Sequence, residues 1–194
     1  MNLPAVILAS ASPRRSDLLR EMGVKFQVVP SDAEEIHNEQ LTAREICQVN
    51  AYRKARVIAK RFPDMVVIGA DTLVYLGVQL FGKPHGLPDA ERMLAGLSGK
   101  THQVVTGVCL IHLRAHHQKI FADTTDVTFR ALSAEQIRDY LAKISPLDKA
   151  GAYAIQDHGD LIVDHINGSL SNVIGLPVER LRAELLGFQT EVPQ

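Results

Sequence analysis

Apolar and polar positions along the 194-residue chain switch repeatedly between a two-residue and a helical period. Residues 4–9 read as a buried strand and 13–22 as a short helix, with Gly23 suited to its C-terminal stop. Phe26 to Val29 forms a second strand-like run, followed by the acidic stretch Ser31-Asp32-Ala33-Glu34-Glu35 as a loop. Thr42 and Glu45 have the spacing of a capping box, which predicts a long helix to about Phe62. Met65 to Ala70 reads as a compact strand ending at Asp71, and 73–81 as a hairpin turning at Gly77. A helix over 88–97 has Ala90, Met93, Leu94 and Leu97 on one side and is stopped by Gly99. Two β-rich runs, 104–111 and 119–129, flank the histidine-rich turn 112–118. Ser133 and Gln136 predict a second capping box and a helix to about Ile144. A short strand over 161–166 and a helix over 177–186 complete the pattern. The mixture predicts an α/β protein with one long mixed sheet and helices on its faces. A second lobe, if present, is expected over roughly residues 72–130 of a single 1–194 domain.

Composition changes that picture little. The chain is 46% hydrophobic and 22% charged, ordinary for a globular protein of this length. Its net charge of −1 lacks the basic surplus of a non-specific nucleic-acid binder. Aromatic residues make up only 5%, too few for a base-stacking platform. The expectation is therefore no nucleic-acid and no membrane partner. Cys47 and Cys109 lie in apolar-patterned segments and read as reduced core residues, and with no signal-like start they point to the cytoplasm.

Candidate chemistry begins at the first strand-to-helix junction. Ser12 suits an N-cap and Pro13 the first helical position. Arg14 and Arg15 then fall in the first turn, where the helix dipole disfavours cations unless an anion docks there. Ser10 and both arginines are candidate phosphate ligands; a solvated arginine pair is the plainer alternative. Asp71 follows Val66-Val67-Ile68-Gly69-Ala70, where the small Gly69 and Ala70 leave room for a ligand, although an Asp there equally caps a turn. Glu34 and Glu35 alone read as solvated surface. Converging with Asp71, Glu35 would supply a second hard oxygen donor for a divalent ion. Lys54 lies inside the apolar stripe Cys47, Ala51, Ala55, Ile58 and Phe62, so its stem is expected to run along the protein body, although a snorkelling lysine at the stripe's edge reads equally well. Lys83 sits between Gly82 and Pro84 after the hairpin, neighbours that can aim a cation into a cleft, although alone it reads as a turn lysine. The segment Gly96-Leu97-Ser98-Gly99-Lys100-Thr101 ends like a P-loop but follows a helix and lacks the first glycine. No dinucleotide, zinc-protease or nucleophile-elbow motif is present in the sequence.

These pieces together resemble the Maf family of nucleoside triphosphate pyrophosphatases. The resemblance rests on Leu8-Ala9-Ser10-Ala11-Ser12-Pro13-Arg14-Arg15, Glu34-Glu35, Lys54-Ala55, Gly69-Ala70-Asp71-Thr72, Gly82-Lys83-Pro84, the run Asp148 to Gln156, and Val173-Ile174-Gly175-Leu176-Pro177, in order along nearly the whole chain. It implies a long mixed sheet flanked by helices, in two lobes with a central cleft, as in inosine triphosphate pyrophosphatases. It implies cleavage of the α–β phosphoanhydride with a divalent cation (Mg, Mn or Co). Asp71 would be the general base, with Lys54 and Lys83 completing the catalytic set. Glu35 and Asp71 would hold the metal, while Ser10, Arg14, Arg15, Thr72 and Gln156 would bind substrate. Arg14 directly after Pro13, together with Thr72 and Gln156, resembles the dTTP/UTP group rather than the 7-methyl-GTP group. A non-catalytic regulator of septum formation and cell division is the further alternative. Homodimerisation is implied by the family alone. Residues 170–172 depart from the family pattern, and a rim or lobe contact is the expected effect.

Overall fold

A computed structural model describes residues 5–38 and 40–188. The expected first-strand start at residue 4 lies outside them. Seven strands form one mixed sheet in the order β2-β1-β3-β5-β6-β7, with β4 paired to β3. The strands are β1 (Val6–Leu8), β2 (Phe26–Val28), β3 (Val66–Leu76), β4 (Gln79–Phe81), β5 (Thr101–His112), β6 (His117–Phe129) and β7 (Val163–Asn167). The helices are α1 (Pro13–Glu21), α2 (Ala43–Arg61), α3 (Leu87–Leu97), α4 (Ala134–Leu141), α5 (Leu170–Ile174) and α6 (Val178–Leu186). β1 is parallel to both β2 and β3, while β3–β4 and β6–β7 are antiparallel. The parallel pairs are joined through α1 and α2, as parallel neighbours require. No described helix is long and apolar enough to cross a membrane.

Local chemistry accounts for most boundaries. Both capping boxes form: Thr42 accepts from Glu45 N–H, and Ser133 from Gln136 N–H. Gly23 ends α1 at φ +72°, a conformation that suits glycine. The hairpin expected over 73–81 forms, with Val74–Leu76 paired antiparallel to Gln79–Phe81 around Gly77, but the strand expected to end at Asp71 runs on into its first arm as one 11-residue strand, β3. Apolar residues continue past Asp71 through Leu73 and Val74, and the carboxylate is buried inside the strand. A buried acid can sit mid-strand when donors meet it, so its polarity was not a terminus signal. α4 stops at Leu141, short of Ile144, and α5 had no sequence expectation.

Two compact units divide the chain. The first comprises the chain to Asp71, Thr106–Asp123 and the chain from Gly175; the second comprises Thr72–Val105 and Thr124–Ile174. The second unit thus departs from a lobe over 72–130, because the long strands β3, β5 and β6 each contribute residues to both units.

In the first unit, α2 lies directly on the sheet. Its small residues Ala51, Ala55 and Ala59 pack with Ile7, Ala9, Val67, Cys109 and Ile111. A Cβ built on Gly69 would lie 2.2 Å from the Ala51 carbonyl oxygen, and one on Gly107 would lie 2.4 Å from the Cys47 carbonyl carbon. The space beside Gly69 is therefore filled by helix backbone, not held open for a ligand. Burial pushes the Cys109 thiol up to about 12, keeping it protonated.

In the second unit, Phe81, Leu94, Leu97, Val127, Phe129, Ile137 and Tyr140 form the core. His102 is buried there, edge-on to Phe129 and Tyr153, with Nε2 2.8 Å from the Tyr153 hydroxyl. Burial lowers its pKa from 6.5 to about 4.

Gly69→Ala is expected to cost about 1–3 kcal/mol through overpacking against α2, read as a lower urea midpoint. An unchanged midpoint would show that the helix can retreat at no cost. The folded state holds His102 neutral where the unfolded chain would protonate it. Its contribution is thus intact above pH 6.5 and lost as pH falls toward 4. Between pH 7 and 5 it should supply about 2 kcal/mol of acid destabilisation. His102→Gln should flatten that part of the stability–pH curve; an identical slope in the variant would exclude the effect.

Candidate active site

The close seating of α2 brings its side chains to Asp71. Along β3, Val67, Gly69 and Asp71 alternate onto the face that α2 covers. Lys54 Nζ lies 2.8 Å from Asp71 Oδ1 and 2.6 Å from Glu35 Oε1. It also reaches the Ala70 carbonyl at 3.5 Å. The Asp71 and Lys54 side chains are 7% and 12% exposed, whereas Glu35 is 37% exposed. The two carboxylates expected to meet around one cation thus converge, and the ammonium of Lys54 stands at their meeting point. In this arrangement the charge of Lys54 neutralises both acids.

Asn50 completes this cluster and carried no expectation from sequence. Its Nδ2 donates to Asp71 Oδ2 at 3.0 Å, and the residue is 1% exposed. A signal was available: Asn50 lies one turn before Lys54, a second polar residue on a helix face otherwise apolar.

The β1–α1 junction adds cations and a hydroxyl. Ser10 is buried, and its Oγ accepts from Ser12 N–H at 3.2 Å and from Arg15 Nη1 at 3.0 Å. With both acceptor positions occupied, the Ser10 hydroxyl proton is left to donate elsewhere. Arg15 Nε donates to the Gly175 carbonyl at 2.9 Å, which fixes the guanidinium. Burial lowers the pKa of Arg15; the Asp71 carboxylate opposes that shift, and Arg14 adds to it. Ser12 occupies the N-cap position, but its side chain makes no capping bond, contrary to its expected role. The first turn of α1 has no acidic residue.

The remaining expected site residues belong to the second unit. Thr72 follows Asp71 in β3 and is partly buried. Lys83 is exposed, next to Gly82, whose carbonyl accepts from Gly151 N–H at 3.0 Å. Gln156 is exposed in the turn after the Tyr153-Ala154 segment. In the same unit, Asn172 Nδ2 donates to the Val104 carbonyl and to Thr125 Oγ1, both at 3.0 Å. The departure at 170–172 therefore includes an internal packing contact.

The sequence matches the Maf-like protein family over residues 5–188. This chain belongs to the Maf family. A dTTP/UTP pyrophosphatase from Akkermansia muciniphila is 44% identical over 186 residues, covering 96% of this chain and 97% of its own. A dTTP/UTP pyrophosphatase from Bacillus cereus is 43% identical over 192 residues, covering 98% and 93%. Among solved structures, a HAM1 protein from Coxiella burnetii superposes with a TM-score of 0.52 at 12% identity, covering 95% of this chain and all of its own. That likeness concerns the fold alone, and it agrees with the expected Maf and inosine triphosphate pyrophosphatase architecture.

In this Maf chain, no cluster of three or more His, Cys, Asp or Glu with metal-binding geometry occurs among the described residues. Glu35 and Asp71 nevertheless fit a hard divalent ion, since both already direct oxygens at one cation. Such an ion accepts a shell completed by water and phosphate oxygens. It would have to take the place of Lys54 Nζ. Lys54→Met is accordingly expected to tighten Mn²⁺ binding by about tenfold, ~1.4 kcal/mol, in calorimetric titration without nucleotide. An unaltered or weaker affinity would show that the ammonium does not compete.

Proposed function

We propose that this Maf protein hydrolyses dTTP and UTP between the α- and β-phosphates, releasing the nucleoside monophosphate and pyrophosphate. The convergence of Glu35 and Asp71 on Lys54 carries the reading, in a chain whose near-full-length relatives bear that activity in their names. Asp71 is the general base. Each of its oxygens already accepts one donor, and a carboxylate oxygen retains a further lone pair for a water proton. That proton passes to Asp71 as the water oxygen attacks phosphorus, and the anhydride electrons leave with the pyrophosphate. A divalent ion held by Glu35 and Asp71 supplies charge neutralisation and a more acidic water when bound.

The chain's own cations bind and orient the phosphates. Arg15 is fixed by Ser10 and Gly175, so little ordering remains to be done when an anion arrives. Ser10 donates its free hydroxyl proton, and Arg14 adds charge beside the acid-free first turn of α1. Lys54 exchanges its carboxylate partners for phosphate oxygens, and Lys83 contributes a further cation. Thr72 and Gln156 are assigned to the base; an amide both donates and accepts, matching a pyrimidine edge with carbonyl oxygens and an imide N–H. The proposed enzyme is cytoplasmic and homodimeric.

The test measures pyrophosphate release from dTTP, UTP and 7-methyl-GTP with Mg²⁺, Mn²⁺ or Co²⁺, for the wild type and Asp71→Asn. The first two should be preferred, and the variant should lose at least about 100-fold in kcat while binding within about tenfold. Preference for 7-methyl-GTP overturns the assignment of Thr72 and Gln156. Absence of turnover on all three favours the regulatory reading. Wild-type kcat in Asp71→Asn removes that residue from the chemistry.

A further inference from the structure

Asn50 is the only amide among the buried residues of α2. Its hydrogen bonds go to two places that matter for one another. Nδ2 donates to Asp71 Oδ2 at 3.0 Å. The same nitrogen donates to the Ile36 carbonyl at 3.2 Å, and Oδ1 accepts from Ile36 N–H at 2.8 Å. Both amide protons and the carbonyl oxygen are therefore engaged. Exchanging the oxygen and nitrogen would set an oxygen against the Asp71 carboxylate and an N–H against an N–H, so the network fixes the orientation.

Ile36 is the neighbour of Glu35. On its other side, the Glu34 carbonyl accepts from Arg53 Nε at 2.9 Å, and Arg53 is also on α2. The residues flanking Glu35 are thus both anchored to the helix that holds Asp71. The Lys54 ammonium also bridges the two acids, but an ion that takes its place removes that bridge, and these backbone ties to α2 then remain to hold the loop carboxylate near the one inside the strand.

We propose that Asn50 is a positioning residue that sets the spacing of Glu35 and Asp71, and through it the affinity of the pair for a divalent cation. The inference rests on the reading above that this pair holds the ion. Asn50 lies behind Asp71, on the helix side, and acts through the two acids. Partners of this kind, one step removed from the ligands, typically change metal affinity by about 10–100-fold. A residue that only satisfied the core would alter thermal stability and leave that affinity alone.

The experiment compares full-length wild type, Asn50→Leu and Asn50→Ser. Folding is checked by thermal melting. Mn²⁺ affinity is measured by electron paramagnetic resonance without nucleotide, and kcat and KM are measured on dTTP. Both variants should bind Mn²⁺ at least tenfold more weakly. Their kcat at fixed Mn²⁺ should fall, with KM for dTTP within about threefold of wild type, because the phosphate-binding cations are untouched. Excess Mn²⁺ should restore part of the lost kcat. A loss of Mn²⁺ affinity smaller than tenfold in a folded variant overturns the proposal, whatever the turnover. So does failure of both variants to fold, which would make Asn50 a core residue, or failure of the wild type to bind Mn²⁺. If the wild type binds Mn²⁺ but hydrolyses neither dTTP nor UTP, the proposed activity falls while the affinity comparison still decides the role of Asn50.

Discussion

The near-contact of α2 with the strands beneath it is the constraint on which the first unit depends. Glycine at 69 and 107 removes the side chains that would hold a helix at ordinary distance from a sheet. Alanines at 51, 55 and 59 do the same from the helix side. Helix backbone then rests on strand backbone, and short side chains span a gap that otherwise needs long ones. Only in that geometry can an asparagine reach a carboxylate within β3 while also holding the main chain of a loop.

Burying Asp71 carries a cost that its surroundings offset. A buried carboxylate without partners is strongly unfavourable, and Lys54 and Asn50 together satisfy both of its oxygens. Glu35 shares the same ammonium from a more exposed position. Two acids and one lysine leave a net negative charge, and Arg15 lies close enough to interact with both acids. The arrangement suits a visitor that brings both a cation and several phosphates, since either alone would leave charge uncompensated.

Much of this was legible in the sequence where signals were local. The capping boxes at Thr42 and Ser133 and the glycine stop at Gly23 depend on residues a few positions apart, and the structure has them. The position of Lys54 in an apolar stripe pointed to a covered stem. Features that depend on distant partners leave no local signal. The polarity of Asp71 suggests a strand terminus because polarity usually ends a buried run; its donors come from a helix, 17 and 21 residues earlier in the chain. Gly69 suggests open space, but a missing side chain does not say what fills its place, and here α2 backbone does. For Asn50 the sequence signals only a polar residue one turn before Lys54; its partners, Asp71 and the backbone of Ile36, lie 21 and 14 residues away. The extent of the second unit was hidden for a related reason: three long strands pass through both units, so neither is a single stretch of sequence.

The grip on Ile36 is made entirely through its peptide N–H and carbonyl. No atom of the isoleucine side chain takes part in those bonds. These bonds by themselves therefore place no demand on the side chain at position 36 beyond ordinary backbone geometry. Proline is the exception, because it lacks the proton that Asn50 accepts. One set of hydrogen bonds thus depends on side-chain identity at position 50 and on main chain alone at position 36.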